Sequence, residues 1–95
     1  MTRIEFDARK DSGNQLKHGL PLALALEFEW DSASVEPDMR RDYGEERYRA
    51  IGFISERLHV VVFTRRVGVI RVIGLRKANR RERRKYGKAQ ETPPH

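Results

Sequence analysis

With 95 residues, a formal net charge of +6 and a pI of about 10.2, the chain is a single basic domain, large enough for one modest core and too small for an elaborate cofactor cradle besides. It has no cysteine, which excludes disulfides and thiolate metal sites, and His18, His59 and His95 lack the short spacing of a zinc site, so neither a structural metal nor a cofactor is expected. No apolar run approaches the roughly 20 residues of a membrane span and a polar segment follows Met1, so a soluble, cytoplasmic protein without a membrane partner is expected.

Thr2 to Phe6 alternates as a short strand, with Ile4 and Phe6 on one face, and Asp7 supplies an N-cap oxygen for a helix over Ala8 to His18 that Gly19 ends. Pro21 suits the first position of a second helix, in which Leu22, Leu24, Ala25, Leu26 and Phe28 form a broad apolar surface. Asp31, Ser32, Ser34 and Pro37 then break helicity, leaving Ser34 to Glu36 as a short edge strand. After a turn at Gly44, Arg47 to Ile54 has strand composition, with Tyr48, Ala50, Gly52 and Ile54 on one face and Arg49, Ile51 and Phe53 on the other. The continuous run Val60 to Phe63 within Leu58 to Thr64 reads as a central strand covered on both sides. A hairpin at Arg65 to Gly68 leads into Val69 to Leu75. Asn79 and Glu82 have capping-box spacing for a final helix ending near Tyr86 and Gly87. Residues 1–87 form one domain on this reading and 88–95 a flexible tail. The expected fold is α+β: two N-terminal helices and a C-terminal helix on a small antiparallel sheet.

About half of the Lys and Arg residues lie beyond Phe63, an electrostatic footprint for phosphates and above all for nucleic acid. Arg71 sits among apolar strand residues, so its charge is partly enclosed and needs a partner. In an undistorted strand Arg71 and Arg76 point to opposite faces; a bulge at Gly74 would bring them to one. Arg80, Arg81, Arg83, Arg84 and Lys85 leave the last helix few apolar contacts beyond Ala78 and Tyr86, and a phosphate backbone would relieve their mutual repulsion. At the end of the first helix, the macrodipole favours a protonated His18, and an imidazole beside a phosphate can serve as general acid or base. Glu45, Glu46 and Glu82 are the acidic alternatives, and Tyr48 and Tyr86 could stack on a base. A non-catalytic nucleic-acid-binding module stays open, as does a protein-interaction domain using the edge at Ser34 to Glu36 for strand addition.

The series Phe6-Asp7, Lys10, Asn14, Lys17-His18-Gly19, Tyr43-Gly44-Glu45, Arg47, Ile51-Gly52, Val60 to Thr64, Arg71, Arg76-Lys77-Ala78 and Glu82 to Tyr86 resembles the BrnT toxins of bacterial type II toxin–antitoxin pairs. The resemblance implies a RelE-like ribonuclease fold, metal-free RNA cleavage that arrests translation, and neutralisation by a BrnA-like antitoxin that would bring operator DNA binding to the complex and allows a heterotetramer. It departs from the family pattern at Phe6, where tryptophan is usual, at Gly74, where serine is usual, and in the hairpin Arg65 to Gly68, which lacks the usual proline and Gly-Asp turn. On this resemblance Lys17, His18, Arg47, Thr64, Arg71, Arg76 and Tyr86 match positions in or beside the RNA-binding face, to which the basic charge of the C-terminal half adds Arg66, Arg80, Arg81 and Arg84; the roles expected among them are that Arg71 and Arg76 hold the scissile phosphate, Arg47 assists and His18 or Glu82 moves protons.

Overall fold

The computed structural model describes residues 3–40, 42 and 44–91. Thr2 of the first expected strand, Tyr43 of the resemblance and residues 92–95 of the expected tail lie outside the described residues. Five strands, β1 (Arg3–Phe6), β2 (Ser34–Pro37), β3 (Tyr48–Ile54), β4 (Arg57–Arg66) and β5 (Val69–Lys77), form one sheet in the order β1-β5-β4-β3-β2. Two α-helices join them, α1 (Ala8–His18) and α2 (Arg80–Glu91). No helix among the described residues is long and apolar enough to cross a membrane.

The expected architecture needs correction in two places. The sheet is mixed, because β1 pairs parallel with β5 while every other pair is antiparallel. Alternation of Ile4 and Phe6 marks a strand but carries no direction, and the long stretch of chain from β1 through α1 and β2 to β4 before β5 permits a parallel pairing that a hairpin would not. The expected second N-terminal helix is instead a 3₁₀ segment over Leu22–Glu27. Its buried positions are Leu22, Ala25 and then Phe28, a spacing of three that a 3₁₀ turn stacks on one side, whereas Leu26 is 68% exposed. The apolar surface is narrower than an α-helix would have made it.

Local signals account for the rest. Asp7 accepts a hydrogen bond from Arg9 N at 2.7 Å and Gly19 closes α1 in the left-handed conformation. Asn14, buried on α1, accepts from Leu75 N and donates to Leu75 O, so its amide continues the pairing of the β5 edge beyond the end of β1. The main core lies where the 3₁₀ segment covers the sheet: Leu22, Phe28, Val61, Phe63, Val72 and Leu75 pack together. Gly52 is required there, since a Cβ would come within 2.8 Å of the Phe28 ring. On the opposite face Ile51, Leu58 and Val60 meet Ala78 and Tyr86 from the region of α2, which runs on to Glu91, past the Tyr86–Gly87 end expected of it.

Candidate nucleic-acid interface

The site begins with a register shift. Val62 pairs with Gly74 but Phe63 with Val72, so Ile73 is an extra residue and β5 carries a bulge. The slip brings Arg71 and Arg76 to the same face, opposite Thr64 and Val60 respectively. Gly74 lies between them, where a Cβ would meet Asn14 Oδ1 and Val62 at ordinary contact distances of 3.7 and 3.9 Å. A Cβ would therefore fit.

Neighbouring strands complete a frame. Arg49 pairs with Val62, and Arg47 lies two residues earlier on β3's approach, its carbonyl accepting Asp38 N at 2.7 Å. Arg47, Arg49, Arg71 and Arg76 thus surround Val62 and the buried Thr64. The frame has two centres, because Arg71 and Arg76 are about 13 Å apart along the strand, from four residues of rise. Arg71 reaches outward to Glu5 on β1 (Nη1 to Oε1, 3.2 Å) and lies 3.9 Å from Asp7. Arg47 Nε lies 3.7 Å from Glu45 Oε1.

Arg76 belongs to the second centre. It donates two hydrogen bonds of 2.7 Å to the carboxylate of Glu82. Glu82 also closes the capping box of α2: Asn79 N donates to Glu82 Oε1 at 2.9 Å and Glu82 N to Asn79 Oδ1 at 2.8 Å. The bond from Arg76 holds the Glu82 carboxyl below its usual range, helped by the Asn79 amide, while partial burial opposes the shift. Arg76 is correspondingly held more firmly protonated, first by that bond. Beside this pair, Glu36 on β2 accepts from Arg49 Nη2 and Lys85 Nζ, both at 2.8 Å, and its carboxyl is lowered chiefly by Lys85. These groups and Arg81 line a groove of about 400 Å³ between α2 and the sheet.

Lys17 and His18, at the end of α1, line a separate basic groove with Arg9, Lys10 and Gly74. The expected protonation of His18 is reversed: burial, then Lys17, then Arg76 push its imidazole below the usual value. The field of Arg76 is the smallest of the three effects. Arg66 is exposed at the end of β4, and Arg80, Arg81 and Arg84 are exposed on α2. Tyr86 is buried, with its hydroxyl donating to Ser32 O at 3.0 Å, and serves to anchor α2. No cluster of three or more His, Cys, Asp or Glu suited to a metal occurs among the described residues.

The structure thus groups Arg76 with Glu82, brings His18 into the field of Arg76, and sets Arg71 beside Thr64 at the other end of the frame. Arg49 and Glu36 are not among the site residues expected from the sequence, and Lys85 enters there only with the other cations of the last helix. A signal for Arg49 was present, since it alternates with Ile51 and Phe53 on an apolar strand face, as Arg71 alternates among its own neighbours.

A family model described as "Ribonuclease toxin, BrnT, of type II toxin-antitoxin system" matches residues 6–82. The 1.1 Å crystal structure of the Brucella abortus ribonuclease toxin BrnT is similar with a TM-score of 0.66 and 30% sequence identity, over 84% of this chain and 100% of that one. Among curated proteins no match is found. Sequence and fold together make this chain a member of the BrnT family, the ribonuclease toxins of type II toxin–antitoxin systems.

Proposed function

We propose that the chain is a metal-independent endoribonuclease whose arginine-framed sheet face takes the RNA backbone, and that a BrnA-like antitoxin neutralises it. The frame of Arg47, Arg49, Arg71 and Arg76 around Thr64 carries this reading. Cleavage at a 2′-hydroxyl gathers negative charge on the phosphate, and fixed guanidinium groups can stabilise that charge without a metal.

In this mechanism Arg71 and Arg76 contact successive parts of the backbone, with Arg47 assisting from β3. Glu82 acts as the positioning residue of Arg76: its two oxygens are engaged and its carboxyl stays ionised, which makes it a weak base. Proton removal from the 2′-hydroxyl falls to His18, whose imidazole is pushed toward the neutral form that can accept. The 2′-oxygen then forms a bond to phosphorus, the bond to the 5′-oxygen breaks, and water protonates the departing oxygen. A 2′,3′-cyclic phosphate remains.

The test is incubation of the purified protein with end-labelled RNA in EDTA. Cleavage with cyclic-phosphate ends, reduced about 10²-fold or more in Arg71→Ala, is the expected result. Activity that vanishes in EDTA and returns with a divalent cation would reject metal independence. RNA that binds and stays intact in every buffer would leave a binding module.

A further inference from the structure

We propose that Arg49 is a direct RNA-phosphate ligand, held in place by the Glu36–Lys85 pair; this role rests on the ribonuclease reading above. Arg49 stands on the same sheet face as Arg71 and Arg76, next to Val62, which itself pairs with Gly74. It lines the groove that also holds Arg76, Arg81 and Lys85.

Glu36 satisfies only part of this guanidinium. A single 2.8 Å bond reaches Nη2, and Nε is enclosed without a hydrogen-bond acceptor among the described residues. Arginine has five donors in a planar fork, so one carboxylate oxygen leaves most of them available to a second anion. Glu36 is also divided, giving its other oxygen to Lys85. Arg49, Lys85 and Glu36 together therefore keep one surplus positive charge, whereas the adjacent Arg76–Glu82 pair is neutral. A phosphate oxygen entering the groove meets that surplus and accepts from the Nη donors that the single bond to Glu36 leaves over. Glu36 meanwhile fixes the guanidinium and ties β2 to α2, so the ligand is preorganised on two elements.

The experiment compares wild type, Arg49→Gln and Arg49→Lys for binding of a non-cleavable 2′-deoxy oligonucleotide across a salt series and for cleavage of the matching RNA. Thermal melts confirm folding, and the lysine variant keeps a cation for Glu36 if glutamine destabilises the fold. The expected result for Arg49→Gln is about tenfold weaker binding, with a slope of log affinity against log salt shallower by about 0.7. Arg49→Lys should keep that slope and still cleave more slowly, because it lacks the fork. Unchanged affinity, slope and cleavage in folded Arg49→Gln, beside an inactive Arg71→Ala, would overturn the role of Arg49 alone. If no protein cleaves RNA yet Arg49→Gln loses affinity and slope, the ligand role stands and the ribonuclease mechanism falls.

Discussion

The two faces of the sheet are made from alternate residues of the same strands and have opposite characters. On one, Val61, Phe63, Val72 and Leu75 close against the 3₁₀ segment with almost no exposure. On the other, Ala78 and then Tyr86 of α2 cover only one end, and the remainder carries arginines held by carboxylates. Stability and chemistry are therefore separated by the pleat: a one-residue step along β4, from Phe63 to Thr64, passes from core to site. If this separation holds, substitutions on one face should spare the property carried by the other.

The largest effect is expected on the core face. Phe63→Ala removes the ring of a residue that is 2% exposed, stacked on Tyr48 and edge-on to Trp30, and should cost about 3–5 kcal/mol of stability by denaturant titration. A loss below about 1 kcal/mol would mean that this face is not the one holding the fold together.

On the arginine face the order reverses. Arg71 is 42% exposed and its ion pairs are of the screened surface kind, so Arg71→Ala should change stability by less than about 1 kcal/mol while lowering the cleavage rate about 10²-fold. Equal losses in both measurements would break the separation. Glu82→Gln is a milder probe, because glutamine can preserve the capping box while the charged clamp on Arg76 is lost. About a tenfold fall in rate is expected, measured beside the melting profile against pH. Glu82 has a lowered folded pKa, so its stabilising contribution is present above the ordinary carboxylate range and disappears as pH falls through the folded value. That part of the acid loss should be missing in Glu82→Gln.

His18 obeys the same sign, for a different reason. Its imidazole is lowered by burial, Lys17 and Arg76, so the neutral form persists to more acid pH than in a free histidine. Cleavage should fall as pH drops through that lowered value, and Lys17→Gln should move the acid limb toward the ordinary histidine pKa of about 6.5. An acid limb that Lys17→Gln leaves in place would assign proton transfer to another group.

Features set by neighbouring residues are legible in the chain itself. Asp7 and Gly19 delimit α1, Asn79 and Glu82 make both bonds of their capping box, and Gly74 marks the bulge that unites Arg71 and Arg76. The valine run of β4 is indeed central, since its partners flank it on either side. The features that are not legible depend on remote parts of the chain. The direction of β1 is decided by pairing with β5, and the 3₁₀ form of Leu22–Glu27 follows from which residues the sheet can bury. Glu36 meets Arg49 thirteen residues away and Lys85 forty-nine away, separations for which spacing gives no rule. The lowering of His18 is legible only in part: its neighbour Lys17 is visible in the chain, but the burial that contributes most and the field of Arg76 are not.

The smallest effects are expected on the outer surface of α2, where Arg80 and Arg84 are exposed, unlike Arg76 with its carboxylate clamp. Such side chains gain from RNA only what counterion release supplies, since nothing fixes their guanidinium planes for a particular oxygen. Arg80→Gln and Arg84→Gln should each make the salt dependence of binding shallower by about 0.7 in log–log slope and leave the cleavage rate at saturating RNA unchanged. Loss of the saturated rate would place α2's surface within the catalytic frame and abolish the distinction between clamped and free arginines. An unchanged slope would instead remove the helix from the RNA path, leaving the framed sheet face to carry recognition by itself.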